Sequence, residues 1–275
     1  MTAATVPADP PVDVPVGANK RVSLLWTVRD SLAITQRNLI TLFRLPQLLV
    51  FATIQPVVFV LMFRYVFGGA IRIPGVPYVD YLMPGIFGQT VVFGAVSTAV
   101  GLSEDLHKGL IERFRSLPMA RSAVLVGRTA ADLVRDFFVI LLMTAVGFAV
   151  GWRIHTNFFG YVAAVILLLL FGWSLTWIFA MIGLKSRNAE AAQAASFPPM
   201  AAFTFASSAF VPVATMPSWL QPFARNQPVS VTITAVRALT LGGPTLTHVL
   251  ASLAWSFGIV VVCAPFAVRM YRRIA

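Results

Sequence analysis

Hydrophobic runs of membrane-spanning length alternate with short polar stretches along most of this chain, and that alternation predicts the elements. A helix needs roughly 20 apolar residues to cross a bilayer. Six runs are long enough: 45–67, 84–103, 131–151, 158–184, 189–213 and 248–268. Pro56 falls in the middle of the first, where a lost backbone donor predicts a kink. Pro198-Pro199 interrupts the fifth, which therefore reads as broken or strongly bent. A seventh apolar stretch, Val229 to Leu241, is too short to span and contains Arg237. It reads as a re-entrant or interfacial helix within a hairpin over 216–244. Ahead of the first run, Leu25, Val28, Leu32, Leu39, Leu42 and Phe43 share one helical stripe, with Lys20, Arg29, Asp30 and Arg37 mostly off it. That pattern suits an amphipathic helix over 22–44 lying at the membrane surface, either as a simple anchor or with a further role. Residues 1–19, rich in Pro, Ala and Val, read as a disordered tail without the positive start and apolar core of a secretory signal.

The break in this pattern is Glu104 to Asp136, a third of whose residues are charged. Its first part, 104–118, places Leu106, Leu110, Ile111, Phe114 and Leu117 on one face. Acidic Glu104 and Asp105 at the start and Arg113 and Arg115 near the end complement a helix dipole, and Pro118 ends the helix. Such a helix lies on lipid headgroups or docks in a groove on a partner protein. Further on, Arg128, Asp132, Arg135 and Asp136 stand at the head of the third run. Their spacing allows Arg128–Asp132 and Asp132–Arg135 pairs, which lower the cost of charge at a membrane boundary.

Composition agrees with the pattern. Of 275 residues, 58% are hydrophobic and 11% charged, against about 25% charged in a soluble domain. The net charge of +11 would suit nucleic acid, but its distribution argues for membrane orientation. With both termini inside, 16 of the 21 Lys and Arg fall on inner segments and five on outer ones. The fold expected is an all-α polytopic membrane protein of six spans, N-in and C-in.

The single cysteine, Cys263, forms no internal disulfide or Cys-pair site, and the three histidines lack ligand spacing, so no metal site is expected. There is no G-x-x-x-x-G-K-[ST] phosphate loop and no H-E-x-x-H or G-x-S-x-G motif. The chain is thus read as a non-enzyme that holds no cofactor of its own. Apart from the third run, the spans carry no carboxylate at mid-depth, which weakens ion coupling and favours an outside energy source. Phe87, Phe93, Trp173, Trp177, Phe203 and Phe205 are span aromatics that could line a path for an apolar substrate, the other reading of each being packing or a lipid face.

The run G-L-I-E-R-F-R-S-L-P-M-A-R over 109–121, followed by Gly127-Arg128, resembles the GTLE-R-L-P-x-x-R stretch of ABC-2 type transporter permeases. Leu110-Ile111 replace the Thr-Leu frequent there. F-x-S-S-A-F-V-P within 203–212 and the 216–244 segment resemble the end of span 5 and the extracellular hairpin of that family, above all of daunorubicin-resistance-type drug and lipid exporters. The resemblance covers nearly everything after residue 20. It implies that Gly109, Glu112, Arg113, Pro118 and Arg121 belong to a cytoplasmic coupling helix and that 22–44 is a connecting helix. It also implies a separate ATPase subunit carrying MgATP, a second permease copy or a related permease, a hydrophobic or amphipathic cargo, and a place in the plasma membrane. An ion-driven secondary transporter and a non-transporting membrane assembly factor are the alternatives.

Overall fold

A computed structural model describes residues 46–71, 73, 75–107 and 121–274, with isolated positions 35, 36 and 40. The 1–19 tail, nearly all of the 22–44 helix, and residues 108–120 lie outside the described residues. Among those described there are helices and no strands.

The elements are α1 (Pro46–Leu61), continued by a π-helical turn (Met62–Val66), α2 (Tyr78–His107), α3 (Arg121–Ala149), α4 (Phe158–Lys185), α5 (Ala189–Phe205), a 3-10 turn (Val213–Thr215), α6 (Gln221–Asn226), α7 (Pro228–Leu241) and α8 (Thr245–Ile274). Among the described residues, three helices are long and apolar enough to cross a membrane unaided: Tyr78–His107, Phe158–Lys185 and Thr245–Tyr271. At the usual helical rise, the 30 residues of α2 extend roughly 45 Å, longer than a hydrocarbon core is thick. The 29-residue α3 is nearly as long, but Arg128, Asp132, Arg135 and Asp136 fall within its first 16 residues.

The bundle is built around α2, which packs most extensively on α4 and also on α3, α5 and α7; α8 covers α4 and α7. Small residues set the closest approaches. A Cβ on Gly183 would strike the Ala99 backbone, and one on Gly85 would strike the carbonyl of Ala209, so glycine is needed where these backbones meet. The core of Leu82, Ile86, Phe87, Val91, Phe171, Phe179, Val229 and Ile233 fills the space between these helices. Outside, Val50, Ile54 and Val58 of α1, Phe137, Phe138 and Leu141 of α3, and Phe257, Val261 and Phe266 of α8 are exposed. Apolar faces of this extent suit lipid as the surrounding solvent. This is a membrane protein.

Several predicted boundaries shift. The second span begins at Tyr78, not Pro84, because Pro77 opens the helix and its carbonyl accepts the amides of Asp80 and Tyr81. Asp80, expected in a loop, therefore lies in the first turn of α2. The fifth helix runs unbroken through Pro198-Pro199; the donors those prolines lack would have served the carbonyls of Ala194 and Ala195, which stand on its exposed side. It stops at Phe205 rather than reaching Val213, where Ser207 bonds to the local backbone instead of extending the helix. α1 continues through Pro56, and its departure from α geometry comes at Met62–Val66. Pro228–Leu241 is a helix of 14 residues, short as expected, and most of its residues are buried.

Candidate functional site

The described part of the candidate site is the antiparallel seam between α2 and α3, the two helices that flank 108–120. Its contacts follow one register along the seam. Nearest the 108–120 segment, Arg128 Nη1 lies 2.6 Å from Asp105 Oδ2. About two turns along α2, the Thr98 hydroxyl donates to Asp132 Oδ2 at 2.6 Å. Arg135 then reaches Asp132 Oδ1 (3.1 Å) and Asp136 Oδ1 (3.0 Å), and donates to the Gly94 carbonyl (2.8 Å) and the Ser97 hydroxyl. Met83, nearer the other end of α2, meets the space beside Gly147 of α3.

Glycines make the seam possible. A Cβ on Gly94 would lie 2.5 Å from Asp136 Oδ1, and one on Gly101 would fall on the Arg128 guanidinium. Gly172 of α4 faces the other oxygen of Asp136, at 3.4 Å from a built Cβ. Asp136 is thus enclosed by α2, α3 and α4, near the middle of each, and only 3% exposed. Burying a charge so deeply is tolerable only with a partner held in good geometry, and Arg135 supplies it. Two carboxylates share that one guanidinium.

Two readings of the sequence are corrected here. Arg128 pairs across the helices with Asp105, not along its own helix with Asp132, which takes the Thr98 hydroxyl and Arg135 instead. Glu104 and Asp105 do not open a separate helix; they occupy the last turn of α2. A carboxylate at a helix C-terminus opposes the dipole, and Arg128 offsets that for Asp105. The Asp132–Arg135 pair stands as the spacing predicted. Asp136, expected near a span end, lies deep in the bundle, because α3 begins ten residues before the apolar run does.

Gly109, Glu112, Arg113 and Pro118 lie outside the described residues, and Arg121 opens α3. The Thr35 hydroxyl donates to the carbonyl of Gly127 (3.0 Å), which ties a residue of the predicted 22–44 helix to the same end of the seam. The six aromatics do not form one surface. Phe87 is 1% exposed and meets Trp152 edge-on; Trp173 and Trp177 form a second edge-on pair in a separate cluster with Tyr271 and Leu102. Phe93 and Phe203 are partly buried against the main core, and Phe205 is half-exposed.

At the other end of α2 lies an arrangement that the sequence reading missed. Arg237 of α7 donates to the carbonyls of Tyr81 (3.1 Å), Ser208 (2.6 Å) and Ala209 (3.2 Å) and to the Ser208 hydroxyl, with its guanidinium 3.5 Å from the centre of the Tyr81 ring. Gln227 donates to the carbonyls of Phe203 and Ala206, and the Tyr78 hydroxyl to that of Phe210. The stretch after α5 has lost its helical bonds, and these side chains replace them. An arginine in a short apolar helix was the available signal, since such a cation seeks carbonyl oxygens. Beside it, Asp80 accepts from the backbone amide of Arg153 (3.0 Å) and lies 2.7 Å from His155 Nε2, joining α2 to the α3–α4 loop.

Comparison with known proteins gives the seam a context. The chain matches the ABC-2 type transporter family over residues 30–241. It is 34% identical over 271 residues to the daunorubicin resistance ABC transporter permease protein DrrB1 of Streptomyces coeruleorubidus, covering 98% of this chain and 95% of that one. It is 28% identical to the probable doxorubicin resistance ABC transporter permease protein DrrC of Mycobacterium tuberculosis, over 81% and 80% of the two chains. To the putative transport permease ycf38 of Cyanophora paradoxa it is 24% identical, over 79% and 76%. A family match over most of its length, with more than 30% identity to a relative of nearly equal extent, places the chain in the ABC-2 type transporter family.

Proposed function

We propose that the chain is the permease subunit of an ABC exporter that moves a hydrophobic or amphipathic drug or lipid out of the cytoplasm or inner leaflet. The observation that carries this reading is the α2–α3 seam: the helices on either side of 108–120 are joined by the Asp105–Arg128 ion pair and by hydrogen bonds from Thr98 to Asp132 and from Arg135 to Gly94 and Ser97, within a chain of the ABC-2 type transporter family. A separate ATPase subunit on the cytoplasmic side binds MgATP and pushes on the segment from Glu104 to Arg121. Asp105–Arg128 and the Arg135 cluster then carry α2 and α3 together rather than letting them slide. Separating the helices breaks the Asp105–Arg128 pair and leaves both charges uncompensated, so the two helices resist separation. The chain crosses the plasma membrane six times with both termini inside, α7 entering from the outer side without crossing. It works as a pair with a second copy or a related permease. An ion-driven carrier would need a carboxylate free to load, whereas both buried carboxylates of the seam are held by Arg135.

The test is reconstitution of the chain with its ATPase subunit and measurement of ATP-dependent export. Glu112→Ala should change fold stability by under about 1 kcal/mol, as for an exposed helical position. Docked against a basic partner group, it should cost about 2–5 kcal/mol of association. Export and co-purification should fall for Glu112→Ala and further for Glu112→Lys, with expression unchanged. Normal ATPase binding and export in both variants would remove Glu112 from the coupling surface. Export that persists without ATPase activity and stops with an uncoupler would replace the ABC reading by the ion-driven one.

A further inference from the structure

Of the three helices able to cross a membrane unaided, α8 is held least by the bundle. Only 11% of its most apolar stretch is buried, against 67% for α2 and 61% for α4. One stripe does the holding: Ser252, Ser256, Ile259, Ala267 and Tyr271 recur every three or four residues and are buried. The Ser252 hydroxyl lies 2.7 Å from that of Thr232 on α7. The opposite stripe is bare. Trp255 is 44% exposed, Val262 58% and Phe266 54%, and the same line of positions runs on to the exposed Arg269 and Arg273. Between Trp255 and Val262 stands Gly258, where even an added Cβ would meet nothing within 4 Å.

The charge on this stripe has one sign. α8 contains no Asp or Glu, and no acidic side chain pairs with Arg269 or Arg273 among the described residues. At the usual helical rise Arg269 stands about 4.5 Å along the axis beyond Phe266, and Arg273 about 6 Å further. The two cations therefore begin one turn from an exposed apolar face, at the depth where lipid headgroups meet acyl chains. The carbonyls that end α8 form the negative pole of its dipole, so the arginines alone would draw an anion here. A second copy is a poor occupant. Two copies meeting through this face about an axis along the bilayer normal would set Arg269 against Arg269 and Arg273 against Arg273, with no carboxylate on the helix to offset the repulsion.

From this arrangement we infer that the stripe is a binding site for an anionic phospholipid, with its phosphate at Arg269 and Arg273 and an acyl chain along Phe266, Val262 and Trp255. The inner-leaflet placement of the site rests on the orientation proposed above; the match of cations to an adjoining apolar stripe does not. A neutral lipid gains the apolar contact but little of the charge, so the site separates lipids by headgroup.

The experiment uses the full chain with its ATPase subunit in a neutral detergent. Dioleoylphosphatidylglycerol and dioleoylphosphatidylcholine, which share their chains, are titrated separately, and native mass spectrometry gives the affinity for the first lipid retained. The wild type should prefer the anionic lipid by about 10- to 30-fold, as two cations near a headgroup imply. Arg269→Gln with Arg273→Gln should reduce that preference to under about 3-fold. Lys185→Gln with Arg187→Gln, exposed cations at the same end of α4, should leave it within about two-fold. Phe266→Asn should weaken both lipids alike, by about 2- to 5-fold. Glycerophosphoglycerol, the headgroup without chains, should displace neither lipid. All these side chains are exposed, so the variants should fold, and a monodisperse profile with native tryptophan emission checks this. Equal binding of the two lipids by wild type, an unchanged preference in the double arginine variant, or displacement by glycerophosphoglycerol would each overturn the site. Loss of the ATPase subunit from that variant with its lipid preference intact would assign the arginines to the ATPase instead. Labelling of a cysteine at position 272 tests the orientation separately. Reaction from the outside with the lipid preference intact ends the inner-leaflet placement alone, and reaction from the inside without a preference ends the lipid site alone.

Discussion

Replacing Arg237 by leucine should be among the most damaging single changes at the Tyr78 end of α2. Its guanidinium makes four hydrogen bonds and lies over the Tyr81 ring. The acceptors differ in what they keep. The Ser208 carbonyl retains the Tyr81 hydroxyl at 3.2 Å, whereas the Ala209 carbonyl abuts the α2 backbone at Gly85. Each hydrogen bond from a charged donor contributes about 1.5–3 kcal/mol, and a desolvated cation–ring contact up to about 2 kcal/mol. Releasing a half-buried cation from the protein interior offsets part of that sum, leaving a net loss of about 3–5 kcal/mol. Arg237→Lys keeps the charge but not the planar fork and should cost about 1–2 kcal/mol. Tyr81→Phe, which removes one neutral bond, should cost about 0.5–1.5 kcal/mol. Equilibrium unfolding in mixed micelles, followed by tryptophan emission, would give the three values in one series. If Arg237→Leu falls within about 0.5 kcal/mol of wild type, the stretch after α5 is held by something other than this arginine.

Other consequences follow from the seam, the close helix contacts and the topology. Arg128→Ala should uncouple ATP hydrolysis from export while assembly persists, and Gly101→Ala, whose Cβ displaces the same guanidinium, should do the same; a double variant no worse than either single one is the expected result, and additive losses would show two independent causes. Gly183→Ala sets a Cβ against the Ala99 backbone, which cannot rotate away, and should destabilise by about 1–3 kcal/mol in the same unfolding assay. Single cysteines at Pro10, Lys108 and Arg272 should react only from the inside, and those at Val76 and Arg225 only from the outside, in a Cys263→Ser background; Gly75 is avoided because its φ of 79° disfavours any side chain. Outside labelling at Arg272 would refute six spans with both termini inside.

What the sequence made legible was whatever is encoded locally. The helix α4 lies within a residue of the apolar run 158–184, which Lys185 ends; its start also carries a local signal, Asn157, which accepts the amide of Gly160 as an N-cap. The shortness of the helix read over 229–241 was equally legible, since its apolar run falls well under the roughly 20 residues a crossing helix needs. Missed features share a different cause. The Arg128–Asp105 pair depends on the register of α2 against α3, and spacing within one helix says nothing about that; Arg128 and Asp132 fit an i,i+4 rule that the neighbouring helix overrides. Asp80 fell in the gap between the runs 45–67 and 84–103, yet Pro77 starts the helix and Pro84 sits inside it. Arg237 was read only as an outer charge because its acceptors are main-chain carbonyls, which leave no trace in a residue pattern.

These two groups of missed contacts stand at opposite ends of one helix. Asp105 and Tyr81 are separated along α2 by roughly 36 Å at the usual helical rise. Between them Gly85, Gly88 and Gly94 meet, in turn, the Ala209 backbone, Ile233 and Asp136, contacts too close for a Cβ. Such contacts leave the helix little room to bend or to slide past its neighbours by less than a full repacking. A push delivered beyond Asp105, as proposed for the ATPase subunit, would therefore reach Tyr81 as rigid-body displacement of α2 together with α3. It would arrive at the carbonyls that Arg237, Tyr81 and Tyr78 hold. The arginine whose loss should destabilise the fold would thus also be the contact through which a movement of α2 passes to the stretch after α5.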